Sequence, residues 1–124
     1  MNCHCGSKKP FSECCEPLIL GLRQAKTAEE LMRSRYSAYV VGATTYLIDT
    51  IDPDSRYPEM ETDLRNWIES SEWLGLEIVN VKEETVEFIA HYRQNGKKLK
   101  HHERSAFKKV SGRWICDPLG STFP

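Results

Sequence analysis

Four of the chain's five cysteines fall within its first fifteen residues, Cys3, Cys5, Cys14 and Cys15, in the spacing C-x-C-x8-C-C. The thiolate is the metal-binding form of cysteine, and Zn²⁺ in a structural role prefers a closed tetrahedral shell of four sulfur or nitrogen donors. A single loop folding back on itself brings the two pairs around one ion, so the spacing predicts a zinc knuckle with Zn²⁺ as a structural cofactor. A closed shell leaves no position for a reacting water, and no chemistry at the ion is expected.

The residues between the pairs suit that loop. Gly6 can take positive φ and turn backbone N–H groups toward the sulfurs, Lys8 and Lys9 offset the negative charge of a four-thiolate site, and Pro10 stiffens the return path. The competing reading is a disulfide pair. Adjacent cysteines such as Cys14 and Cys15 bridge each other poorly, and nothing else in the chain points to an oxidising compartment. His4 could replace a thiolate, but four sulfurs already complete the shell, so it is expected to face solvent.

Other side chains capable of chemistry are scattered along the second half. Leu99, His101, Glu103, Ser105 and Phe107 share parity along one predicted strand, so if Phe107 is core, Glu103 faces inward. Arg35 lies four residues from both Leu31 and Tyr39 on a predicted helix and is placed on or beside its buried face. An ion pair between Arg35 and Glu103, with hydroxyl help from Tyr36, Tyr39 or Ser105, is therefore expected. The alternative is an Arg35 that runs along the helix edge and a Glu103 that reaches water. His91, His101 and His102 read as surface histidines, because adjacent strand residues point to opposite faces and cannot close on one ion. Cys116 reads as a small buried hydrophobe.

The elements that must position these groups follow from periodicity. Leu18 to Leu22 supply apolar side chains to dock the knuckle, which Glu16-Pro17 is expected to end. Thr27 and Glu30 form a capping box, and apolar residues then recur at helical spacing to Gly42, which makes this the central helix. A shorter helix runs from Thr44 to Thr50, and a third from near Pro58 to about Ser70, with Leu64, Trp67 and Ile68 as its stripe. From Trp73 the period becomes two, first in Leu74, Leu76 and Ile78, then in Val86, Phe88, Ala90 and Tyr92. Glu83-Glu84, Asn95-Gly96 and Ser111-Gly112 mark the turns, and Pro118 is expected to stop pairing. Three helices followed by a four-stranded antiparallel meander indicate an α+β fold in which the curved sheet buries one face against the helices. The knuckle and its docking segment are assigned to residues 1–22 and the α+β domain to 23–124.

Two stretches resemble known families. Cys3-His4-Cys5-Gly6-Ser7 followed by Cys14-Cys15 is similar to the SEC-C motif, the zinc-binding motif at the carboxyl end of the SecA translocation ATPase, with His4 where proline is usual. Residues 27–39, TAEELMRSRYSAY, together with His102-Glu103-Arg104-Ser105-Ala106-Phe107 and Gly112-Arg113-Trp114, resemble the YchJ family of small bacterial proteins. That resemblance covers nearly the whole chain. It implies an SEC-C motif joined to a nuclear-transport-factor-2-like (cystatin-like) cone, and no established activity. Longer members carry a second cysteine cluster near the carboxyl end, where this chain has only Cys116.

The 124 residues suffice for one core, and 17 lysines and arginines against 18 acids leave a formal net charge of -1, so no global field draws the protein to nucleic acid or anionic membranes. No apolar run approaches the ~20 residues of a membrane span, which makes a soluble, cytoplasmic protein the expectation. Three functions follow. The favoured one is an adaptor whose knuckle offers Lys8, Lys9, Pro10 and Phe11 to a protein or RNA, as the SecA tail contacts the SecB chaperone and the ribosome. The second is a small-molecule binding protein or isomerase-like enzyme with a pocket formed by Arg35, Tyr36, Tyr39, Glu103 and Ser105. The third is a zinc site that only staples the domain. Binding is expected ahead of catalysis, because an Arg neighbour weakens a carboxylate base. An open cavity at Glu103 would favour the second reading.

Overall fold

Thr27 sets the start of the element around which the body is built. Its hydroxyl accepts a hydrogen bond from the Glu30 amide at 3.0 Å, and the Glu30 carboxylate accepts from the Lys26 amide at 2.8 Å. Helix α2 (Ala28–Val41) follows and ends where Gly42 adopts the left-handed conformation, φ 78°. Ala28, Leu31, Met32, Tyr36 and Ala38 are buried along it. Removing the cap in Thr27→Ala leaves an orphan amide at the helix start, and a loss of about 1 kcal/mol is expected. Urea titration checks this; an unchanged midpoint would mean that tertiary packing alone holds the helix end.

The computed structural model describes residues 2–122, so residue 1 and the last two residues of the span 23–124 lie outside it. Four α-helices precede four strands: α1 (Cys15–Ile19), α2, α3 (Thr44–Asp49), α4 (Met60–Glu69), then β1 (Glu72–Lys82), β2 (Thr85–Gln94), β3 (Lys97–Val110) and β4 (Arg113–Thr122). The strands form one antiparallel sheet in the order β1-β2-β3-β4. Asn95 and Gly96 at φ 50° and 76°, and Ser111 and Gly112 at φ 52° and 79°, make the tight hairpin turns their types favour. Val86, Phe88, Ala90 and Phe107 from the sheet meet Leu31, Met32 and Tyr36 from α2 in the main core. At Cys116 the free edge of β4 is met by the segment after α3: the Cys116 amide donates to the Thr50 carbonyl and the Asp52 amide to the Cys116 carbonyl. That contact satisfies backbone groups which would otherwise template pairing with another chain.

Four local expectations need correction. Glu16 and Pro17 do not end the knuckle; they lie inside α1, whose first turn tolerates a proline because its amide would lack a partner anyway. Of the apolar run that follows, Leu18 docks at 3% exposure, while Leu20 and Leu22 remain 63% and 78% exposed. Leu74 does not share the buried face of Leu76 and Ile78. Trp73 pairs with Tyr92 and Gly75 with His91, so Leu74 is the extra residue of a bulge, and Trp73 turns inward in its place. Pro118 does not end β4: after an irregularity, Thr122 again pairs with Arg104.

Candidate functional site

The side chains singled out from the sequence gather at two places, a thiol cluster on one side of α2 and a cavity on the other. Cys3 and Cys5 sit on the loop before Pro10, whereas Cys14 and Cys15 sit at the amino end of α1. All four sulfurs lie within 4.8 Å of one another. Cys5 and Cys14 are 3.7 Å apart and Cys14 and Cys15 3.9 Å. A disulfide would require about 2.05 Å. Four sulfurs at the corners of a tetrahedron, each about 2.3 Å from a central zinc, stand about 3.8 Å apart, so the spacing fits a tetrahedral ion. His4 is outside the cluster, half-buried and edge-on to Phe11 at 5.2 Å.

The thiols are poised for a cation electrostatically as well. A hydrogen bond from the Cys15 thiol pushes Cys5 down to about 4 against the effect of burial, with Ser7 and Arg33 helping. Cys15 is pushed up because it supplies that hydrogen bond and is itself buried, and burial raises Cys14. Negative charge is thus favoured on Cys5 over Cys14 and Cys15. Full ionisation of four packed sulfurs calls for a positive charge among them.

Backbone contacts clasp the cluster to the body. Arg33 Nη1 donates to the Cys5 carbonyl at 2.7 Å while its Nε pairs with Glu29 at 2.9 Å. Arg23 joins the Cys14 carbonyl at 3.2 Å to Glu30 at 3.0 Å. Leu76 of β1 packs against the sulfurs, and Gly6 takes the left-handed conformation at φ 81°, where a side chain would be strained.

The second site is a cavity of about 400 Å³ between α2, α4 and the sheet. Arg35, Tyr36, Tyr39, Glu103 and Ser105 all line it. Residues not singled out earlier complete it: Trp67 and Trp73 form an aromatic wall, with Trp73 5.4 Å from Tyr39, 5.8 Å from Trp67 and 5.7 Å from Tyr92 between ring centres. The inversion at the Leu74 bulge is what delivers Trp73, and plain alternation could not have found it. His101 also lines the cavity and is not a surface histidine, since it shares the parity of Glu103 and Phe107. His91 and His102 sit on the outer face, paired with Glu77 at 3.0 Å and Glu87 at 2.7 Å. Cys116 is buried at the cavity wall, where burial pushes its thiol up.

The expected Arg35–Glu103 contact is not made; each group finds other partners. Glu103 accepts from His101 Nε2 at 2.7 Å on one oxygen and from the Ser105 hydroxyl on the other. Both donors lie two residues away on the same strand face, so the local solution is the shorter one. Burial opposes the Glu103 charge, but these hydrogen bonds outweigh it, and Arg35 adds a weaker pull from a distance; the carboxyl is held below its ordinary range. Arg35 is 8% exposed and donates through Nη1 to the Leu47 carbonyl at 2.7 Å and the Thr50 hydroxyl at 2.6 Å. Leu47 is in the last turn of α3, where helical carbonyls lack intrahelical donors. Burial also raises both phenols, Tyr36 to about 12, so both stay protonated hydrogen-bond donors.

A larger cavity of about 570 Å³ adjoins the first and shares Arg35, Tyr39 and Trp67 with it. Two buried polar atoms without a hydrogen-bond partner occur among the described residues, Trp73 Nε1 and Ser55 Oγ; Trp73 lines the first cavity and Ser55 the second. An unsatisfied buried donor costs about 1–3 kcal/mol, a cost carried here beside the two cavities.

Comparison with known proteins agrees with this arrangement. The family description "YchJ, middle NTF2-like domain" matches residues 27–116. A UPF0225 protein of Geobacter sulfurreducens is 50% identical over 119 residues, covering 90% of this chain and 74% of the relative. One from Bordetella pertussis is 40% identical over 120 residues, covering 91% and 87%. The solution structure of a SEC-C motif containing protein from Rhodopseudomonas palustris superposes with a TM-score of 0.90 at 40% identity, covering 100% of this chain and 99% of that one. The crystal structure of a SEC-C motif containing protein from Psychrobacter arcticus gives 0.79 at 26% identity, with coverage of 100% and 84%. With a clustered cysteine quartet ahead of a matched α+β body, the chain belongs to the YchJ family, also designated UPF0225, and joins an SEC-C motif to a nuclear-transport-factor-2-like domain.

Proposed function

We propose that this chain is a small-molecule-binding protein whose ligand occupies the aromatic cavity, and that the cysteine quartet holds a structural zinc ion which staples the amino-terminal loop to the body. The observation that carries the reading is the open space itself, about 400 Å³ in the heart of the cone and lined by Glu103, Arg35 and two tyrosines. Ligand sites of a few hundred Å³ typically combine apolar walls with a few convergent polar groups. A cone meant only as a rigid support has no reason to forgo the packing such a void gives up.

Binding is favoured over turnover. A general base works best with a pKa near the working pH, and Glu103, already hydrogen-bonded on both oxygens, is held well below that. The adaptor role ranks second. Lys8, Lys9 and Pro10 are exposed at the tip of the loop and would suit a protein or RNA contact, but Phe11 is half-buried against His4, and the loop's strongest contacts run inward to α2. No helix among the described residues is long and apolar enough to cross a membrane.

Titration with a library of planar aromatic fragments, followed by the Trp67 and Trp73 indole signals in ¹H–¹⁵N spectra, tests the cavity. At least one fragment is expected to move both signals. The response should vanish in Ala90→Phe, which places a ring in the space. A library that moves neither signal in folded protein removes the reading.

A further inference from the structure

The cavity is lined by two side chains of opposite charge, Glu103 and Arg35, which form no ion pair with each other. Both oxygens of Glu103 accept hydrogen bonds from neighbours on its own strand. Arg35 is buried and forms no ion pair among the described residues. The two N–H groups of its Nη1 account for the bonds to Leu47 and Thr50. A further hydrogen bond goes to the Tyr39 phenol, a neutral partner, so the guanidinium, whose Nε and Nη2 edge has the geometry that meets a carboxylate or phosphate bidentately, has no anion in direct contact among the described residues.

Arg35 lines both cavities, as do Tyr39 and Trp67. Tyr39, a phenol that stays protonated, is a neutral neighbour hydrogen-bonded to Arg35, and each oxygen of Glu103 already accepts one hydrogen bond. A buried guanidinium that forms no ion pair among the described residues favours a partner that brings acceptors and negative charge.

We propose that Arg35 is the anion-recognition residue of the cavity and that the ligand class is an apolar, ring-bearing organic anion, its acid group on Arg35 and its ring among Tyr36, Trp67, Trp73 and Phe88. This rests on the small-molecule reading above and specifies it. An ammonium ligand of the same shape would meet the guanidinium charge.

Three near-isosteric probes separate the cases: 2-naphthoate, 2-naphthamide and 2-naphthylmethylammonium, titrated into the wild-type chain at pH 7 and followed by the Trp73 indole and Arg35 Nε–H signals. The naphthoate is expected to bind about tenfold or more tightly than the other two and to displace the Arg35 signal, as a charge-assisted bidentate pair requires. Arg35→Lys should weaken the naphthoate by about tenfold and leave the amide unchanged, because a point charge replaces the fork. Equal affinity for acid and amide, or tighter binding of the ammonium, overturns the Arg35 assignment while the binding cavity stands. Silence from all three probes overturns both. The wild-type series decides the matter even where the variant does not fold.

Discussion

Isolated under reducing conditions, the chain is expected to carry one zinc ion per molecule, and the double variant Cys3→Ser/Cys14→Ser to carry none. Each substitution removes one sulfur from a different pair, so no rearranged four-sulfur shell can re-form; Cys116 is at the cavity wall on the far side of α2. The loss should extend to the body. Structural zinc binding in small peptides is worth about 10–16 kcal/mol, and there it serves as folding energy. Here the ion would hold in place the loop whose Cys5 and Cys14 carbonyls engage Arg33 and Arg23 and whose sulfurs cover Leu76. If only about 3 kcal/mol of that is transmitted, the thermal midpoint of a chain this size falls by roughly 10–15 °C. Elemental analysis and a thermal melt, with and without a chelator, check both parts. Full metal content in the double variant would end the tetrathiolate assignment; a metal-free variant with an unmoved midpoint would end the idea of a staple.

A second large effect is expected at Phe107, 2% exposed near the carboxyl end of β3 and packed in the core with α2. Phe107→Ala removes a ring that borders an existing cavity, so the new void merges with the old one and the surroundings have little incentive to collapse into it. A loss of about 3–5 kcal/mol is expected, the usual range for truncating a buried aromatic residue. Val110→Ala, three residues along the same strand but 43% exposed, is the matched control and should stay within about 0.5 kcal/mol. Urea denaturation distinguishes them through the midpoint. Similar losses at both positions would contradict the inward assignment of Phe107, and with it the placement of Glu103, Ser105 and His101 around the cavity.

The strand parity that places those groups was readable in advance because β3 pairs with β2 from Lys97 to Ala106 with no register shift, and Phe107 follows directly. The same logic failed on β1, where one bulged residue exchanged Leu74 for Trp73, and on β4, where a register irregularity lets pairing resume beyond Pro118. A bulge depends on the partner strand's register and leaves no unambiguous mark on the strand that carries it. The Arg35–Glu103 pair failed for a related reason. Placing both residues on buried faces was sound, but which acceptor a long guanidinium takes depends on where the α3 carbonyls end up. No periodicity within α2 encodes that position.

What the sequence determined alone was whatever depends on residues near one another in the chain: the paired cysteines, the Thr27 cap and Gly42 stop of α2, the three hairpin turns and the facing of β3. Local sterics and hydrogen-bonding chemistry decide these, whichever fold surrounds them. Tertiary structure alone decided how the helices stand off from the sheet. That separation leaves a space instead of a packed interface, brings Trp67 and Trp73 from distant segments to its wall, and buries Arg35 without a direct ion pair among the described residues. Those outcomes arise from the summed volumes and approach angles of elements far apart along the chain, quantities that no local pattern carries.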